Sequence, residues 1–175
     1  MDIVRIGVIG VGNMGGNHVG YLAKGDIPGA KLTALCDTNA EQLVRMKAIA
    51  GENVATFEEA DAMLHSDQID AVIVATPHYD HPPLAIKALE RGLHVMIEKP
   101  AGVYTRQVRE MNEAAEKSDR VFGLMFNQRT LGQHQKLKEL VGSGELGELR
   151  RTNYIIPSWF RAQSYYDSGG WRATW

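Results

Sequence analysis

IVRIGVIGVGNMG, residues 3 to 15, is an almost wholly apolar run that ends in Gly10-Val11-Gly12-Asn13-Met14-Gly15, and Asp37 stands 22 positions after the last of these glycines. Ile3 to Ile9 lacks the polar alternation of a half-exposed strand, so it reads as a parallel strand buried on both faces. A glycine-rich turn straight after such a strand, with a helix following, is the dinucleotide-binding arrangement. The first glycine permits the tight turn, the second lets backbone approach a pyrophosphate, and the third lets helix and strand pack closely. Amide groups opening the helix after Gly12 then face the phosphates with the positive end of the helix dipole behind them. Residues 31–36 read as a second strand whose carboxyl end delivers Asp37 to the same edge, where its carboxylate would accept from ribose hydroxyls.

The residues after Asp37 bear on which cofactor fits. A 2′-phosphate needs a nearby positive charge, and Thr38, Asn39, Ala40 and Glu41 offer none; Arg45 is two helical turns further on. NAD is therefore expected rather than NADP.

Strand and helix keep alternating along the chain. Helices are expected near residues 13–23, 40–50, 58–64, from Pro82 to Gly92, over 105–117 and 133–141; strands near Val54 and over 71–75, 93–97 and 121–126. Pro82 and Pro83 suit the first turn of a helix, where a missing N–H costs nothing. The expected fold is a doubly wound, Rossmann-type α/β domain with a parallel sheet over residues 1–127, followed over 128–175 by the start of a truncated α+β domain for substrate and oligomerisation. Residues 150–156 look like a single strand with nothing after them to pair with. Seven of the 13 aromatic residues fall in the last 22 positions, so this tail is either a sugar-stacking surface or core deprived of its partner layer, and the second is preferred.

With 44% hydrophobic and 23% charged residues the chain is an ordinary globular one, and a net charge of −2 gives no attraction to nucleic acid or anionic membranes. No run of 18 apolar residues occurs and the amino terminus enters a strand at once, so a cytoplasmic protein is expected. The single Cys36 reads as a small core residue. His65, His94 and His134 share no metal-ligand spacing, and no metal is expected.

Two further clusters fall at carboxyl ends of strands, where open α/β sheets bind ligands: Thr76-Pro77-His78-Tyr79-Asp80-His81 and Glu98-Lys99-Pro100. A lysine beside a nicotinamide and withdrawn from water would have its pKa pushed down, and could shuttle a hydroxyl proton during hydride transfer. Taken alone, a Glu-Lys pair at a strand end is a solvated surface pair, and His81 could simply cap the helix that Pro82 begins.

The glycine turn, Asp37, the segment from Thr76 to His81 and Glu98-Lys99-Pro100 together resemble the Gfo/Idh/MocA oxidoreductases, and "AVIVATPHYDHPPLAIKALERGLHVMIEKP" follows that family's central pattern almost throughout. The resemblance implies an NAD-dependent dehydrogenase acting on a sugar, an inositol or a related polyol, and a homo-oligomer. It implies that Gly10, Gly12, Asn13, Met14 and Gly15 hold the pyrophosphate, Asp37 the adenosine ribose, and Thr76, Pro77 and His81 the middle of the cofactor. Glu98 would approach the nicotinamide ribose, Lys99 would contact the reacting hydroxyl as the catalytic residue, and Asn127 would lie near the nicotinamide. The family often has asparagine where His78 stands. It also carries an Asp and a His in its second domain, whereas this chain has no histidine after His134, so the sequence reads as cut off and the chain alone is expected to be nearly inactive. A noncatalytic NAD-dependent sensor on the same fold is the alternative, and a methyltransferase gives no reason for Glu98-Lys99-Pro100.

Overall fold

The structure, a computed structural model, describes residues 3–157 and 160–167. Contacts divide the chain into two units, Met1–Phe126 and Asn127–Trp175.

In the first unit the order is β1 (Val4–Ile9), α1 (Asn13–Lys24), β2 (Ala30–Cys36), α2 (Ala40–Ala50), β3 (Ala55–Phe57), α3 (Ala60–Leu64), β4 (Ala71–Val74), α4 (His81–Glu90), β5 (His94–Ile97), α5 (Thr105–Lys117) and β6 (Phe122–Leu124). All five strand pairings are parallel, and the sheet runs β3-β2-β1-β4-β5-β6. The chain winds outward from β1 in one direction and then, from β4, in the other. The crevice between β1 and β4 is therefore the switch point, where the loops after the two strands diverge and leave room for a ligand.

Helices cover both faces, as a parallel sheet requires. On one side Val8, Leu32 and Leu35 pack with Val19 and Leu22 of α1 and Leu43 and Met46 of α2. On the other, Ile9, Val72, Val74, Val95 and Ile97 pack with Met63 of α3, Ala85, Ala88 and Leu89 of α4, and Met111 of α5. Neighbouring positions within β1 (Val8 and Ile9) and β4 (Ile73 and Val74) thus supply opposite cores, which is why these strands read as nearly continuous apolar runs; in β5 only Val95 and Ile97 are buried, and Met96 is exposed. Cys36 is 2% exposed and belongs to the second core, as expected.

Local signals place the helix ends. Asn39 accepts from the Glu41 and Gln42 amides through its side-chain oxygen and so caps α2, and the prolines of α4 occupy its first turn.

The second unit holds a 3-10 turn at Asn127–Thr130, α6 (Gly132–Gly142) and a short α7 (Gln163–Asp167). The strand expected over 150–156 does not form: those residues are irregular and exposed. Strand-like composition is not enough without a ladder partner, and this unit has no other strand among its described residues. Of the aromatic tail, Tyr154 and Phe160 are exposed; Trp159, Trp171 and Trp175 lie outside the described residues.

Candidate active site

The glycine turn sits at the carboxyl end of β1, and each glycine meets a different demand. Gly10 has φ of 81°, in the left-handed region, and a Cβ there would lie 2.8 Å from backbone atoms of Ala75 and Thr76, just after the neighbouring β4. A Cβ on Gly15 would lie 1.8 Å from the Gly10 carbonyl oxygen, so only glycine lets α1 start this close to β1. A Cβ on Gly12 would meet nothing within 4 Å. Gly12, Asn13 and Met14 are exposed and line open space at the start of α1, room of the kind a pyrophosphate needs.

The turn is fixed from the β2 side. The Gly10 amide donates to the Cys36 carbonyl, the Val11 amide donates to Asp37 Oδ2 at 2.9 Å, and the Gln42 side-chain amide donates to the Val11 carbonyl at 2.6 Å. Asp37 Oδ1 accepts from the Asn39 amide at 2.9 Å. Asp37 thus holds the turn in place while its carboxylate keeps further acceptor capacity. Burial pushes the neighbouring Cys36 thiol up to about 12, with the Asp37 and Glu59 carboxylates adding in the same direction.

Across the crevice, the loop after β4 presents Thr76, whose hydroxyl oxygen is buried with no hydrogen-bond partner among the described residues. A buried hydroxyl left without a partner is costly, and one beside the glycine turn at the switch point fits a site completed by a bound cofactor. Pro77 is exposed beside it. Among the described residues, no group of three His, Cys, Asp or Glu side chains could hold a metal ion.

His81 is fully buried at the first position of α4. Its Nδ1 lies 2.8 Å from the Pro100 carbonyl oxygen and its Nε2 2.9 Å from the Thr76 carbonyl oxygen. The capping alternative raised by the sequence does not hold. His81 makes no side-chain cap on α4, and its ring is turned into the protein, joining the loops after β4 and β5. His78 packs edge-on against it, ring centroids 5.8 Å apart. Burial pushes the His78 imidazole below its ordinary value, and the nearby His81 and Lys99 act in the same direction.

Glu98 is 4% exposed and directed inward. Its Oε1 lies 2.8 Å from Nε2 of His18 on α1, and its Oε2 accepts from the Lys99 amide at 3.2 Å. The chain's own groups thus engage both carboxylate oxygens, and the side chain is nearly enclosed by the protein. Lys99, joined to Pro100 by a cis peptide bond, is exposed. Among the described residues of the first unit, nothing withdraws it from water. Its amine makes no hydrogen bond or ion pair among the described residues. Asn127, read as the end of the first domain, belongs to the second unit, where its carbonyl accepts from the Thr130 hydroxyl.

His18 is the site residue that sequence reasoning missed. It lies on α1 beyond the glycine turn, 80 residues before Glu98, and only the sheet order brings the two together.

A family model described as "Oxidoreductase family, NAD-binding Rossmann fold", GFO_IDH_MocA, matches residues 4–126. A glycosyl hydrolase family 109 protein of Shewanella sp. (strain W3-18-1) is 31% identical over 186 residues, covering 100% of this chain and 40% of that protein. The alpha-N-acetylgalactosaminidase of Shewanella oneidensis is 30% identical over 189 residues with the same coverage, so the chain spans 40% of the length of these curated relatives. Among solved structures, the WlbA dehydrogenase from Bordetella pertussis in complex with NADH and UDP-GlcNAcA is similar at a TM-score of 0.85 and 31% identity, covering 97% of this chain and 51% of that one. The scyllo-inositol dehydrogenase from Lactobacillus casei with bound NAD(H) and scyllo-inositol is similar at 0.79 and 30% identity, covering 84% and 43%.

Proposed function

The chain belongs to the Gfo/Idh/MocA oxidoreductase family and carries its NAD-binding Rossmann domain, and from that premise we propose that it serves hydride transfer between NAD and a hydroxyl-bearing carbon of a sugar, an inositol or a related polyol. The observation that carries this reading is that the glycine turn, Asp37, the unpartnered Thr76 hydroxyl and Lys99 all lie at the carboxyl ends of β1, β2, β4 and β5, along one edge of one parallel sheet.

In this reading Gly10, Gly12, Asn13, Met14 and Gly15 hold the pyrophosphate, and Asp37 accepts from the adenosine ribose. Thr76 and Pro77 support the middle of the cofactor. When bound, NAD supplies a hydride acceptor. Lys99 holds the substrate hydroxyl and receives its proton as the carbon becomes a carbonyl; in reduction it returns that proton. The exposed amine suits this task, since substrate can reach it and bound ligand can exclude water from it afterwards. The 175-residue chain alone is proposed to bind NAD with little turnover. Sugar or polyol chemistry is supported by the relatives, which include a scyllo-inositol complex and a UDP-sugar complex.

The test has two steps. Titration of NADH with the chain, followed by nicotinamide fluorescence, should saturate. A protein that carries this chain together with the length its relatives have beyond it should form NADH from NAD with a member of an inositol and hexose panel. Absence of saturable NADH binding overturns the reading.

A second reading is favoured by the glycosyl hydrolase relatives, among them the alpha-N-acetylgalactosaminidase. Oxidising a sugar carbinol acidifies the adjacent C–H, so a hydride taken and later returned can assist cleavage of a glycosidic bond without net redox change. Release of a nitrophenol from an aryl N-acetylgalactosaminide without accumulation of NADH would select it.

A further inference from the structure

The Glu98-Lys99-Pro100 turn is held by two histidines that come from opposite faces of the sheet. From α1, His18 places Nε2 2.8 Å from Glu98 Oε1, with the two side chains only 13% and 5% exposed. A carboxylate oxygen can only accept, so the His18 N–H donates. From α4, the fully buried His81 places Nδ1 2.8 Å from the Pro100 carbonyl and Nε2 2.9 Å from the Thr76 carbonyl. The residue before Lys99 and the residue after it are thus each tied to a different helix, and Glu98 adds a bond back to the Lys99 amide. Lys99 itself is exposed, and its amine has no partner among the described residues.

We propose that His18 and His81 are positioning residues for Lys99, gripping its turn from α1 and from α4 so that the amine stands where a nicotinamide and a hydroxyl would meet. Purely structural sites this buried are more simply filled by apolar side chains, because each buried polar atom costs desolvation unless its bonds are made. Here His18 donates to Glu98, and the His81 ring stands within hydrogen-bond distance of carbonyls on the two loops that must keep a fixed spacing. The clamp also links the parts of the site. His18 shares α1 with the amides that would face the phosphates, and His81 joins the Thr76 loop to the Lys99 loop, so cofactor seating and lysine placement depend on the same helices. The inference rests on the proposed function for its purpose, and its geometry can be tested without any cofactor.

Two readouts on the 175-residue chain test it, each with His18→Leu and His18→Gln, the second of which keeps a donor N–H. The first is amide hydrogen exchange at Lys99, resolved by NMR. Exchange should quicken about tenfold in His18→Leu, the effect of one lost bond to a charged group, and return towards the wild-type rate in His18→Gln. The second is acetylation of the Lys99 amine by an N-hydroxysuccinimide ester, read by peptide mass spectrometry with and without saturating NADH. NADH should protect Lys99 in the wild-type chain and in His18→Gln and fail to protect it in His18→Leu, although His18→Leu still binds NADH. His81→Gln should lower protection in the same way; should that variant not fold, the His18 series decides. Unchanged Lys99 exchange in His18→Leu, or equal behaviour of His18→Leu and His18→Gln, overturns the clamp. A wild-type chain that binds no NADH overturns the proposed function instead, and amide exchange still decides the clamp.

Discussion

The Val11 amide donates to Asp37 Oδ2 at 2.9 Å, across 26 residues of chain, so the acid that ends β2 is also the strut that holds the glycine turn against it. A side chain expected to bind ribose thus carries a second duty, and the two can be separated. Asp37→Asn keeps an acceptor for Val11, whereas Asp37→Ala removes it. NADH affinity should fall about tenfold in the first and nearer a hundredfold in the second, on the scale of one and two bonds to a charged group. Isothermal calorimetry checks the order; equal losses would mean that the strut contributes nothing to binding.

Gly12 and Gly15 should fail in different ways when replaced by alanine. The Gly15 methyl would collide with the Gly10 carbonyl oxygen, only 1.8 Å from its ideal position, and this is backbone that cannot swing aside. We expect a loss of about 3 kcal/mol in urea unfolding. The Gly12 methyl would meet nothing within 4 Å, so the fold should keep its stability while NADH binding drops, because the methyl occupies the space the phosphates need.

Cys36 gives a pH-dependent prediction. Its thiol is pushed from an ordinary 9.0 up to about 12, chiefly by burial and then by Asp37 and Glu59. The folded state therefore keeps a proton that the unfolded chain has already lost above pH 9. The stability this supplies is complete below 9 and falls as pH rises towards 12, by about 1.4 kcal/mol for each pH unit. Other groups titrate there as well, so the quantity to measure is the stability difference between wild type and Cys36→Ala, which should narrow with that slope. The folded chain should also resist thiol reagents at pH 8 and react only after unfolding.

In the second unit Tyr154, Ile155 and Phe160 are 69%, 82% and 87% exposed. Apolar groups so displayed favour association. Light scattering should show a mass that rises with concentration, and the Ile155→Lys, Phe160→Lys double variant should suppress the rise. A chain that stays monomeric at high concentration would contradict this.

How far the sequence could be read depended on whether a signal was local. Val4–Ile9 and Ala71–Val74 are legible because strands that feed both cores leave nearly continuous apolar runs, and Gly10 and Gly15 because their demands arise within a few residues of one another. The same local logic misjudged residues 150–156, where strand-like residues have no ladder to join. Glu98, Lys99 and His81 could be placed at strand and helix ends, yet not oriented. Whether Glu98 turns towards a ribose or towards His18, and whether His81 caps α4 or spans two loops, depends on partners brought in by the sheet order. Lys99, expected to be withdrawn from water beside a nicotinamide, is exposed among the described residues.

The central claim is that one NAD molecule lies along the carboxyl edge of the sheet from Asp37 to Lys99. An NMR titration of the isotope-labelled chain with NADH tests it directly. The account predicts that the amide signals of Gly12, Asp37, Thr76 and Lys99 shift together along one saturation curve. Shifts confined to the glycine turn, with Lys99 unmoved at saturation, would contradict it.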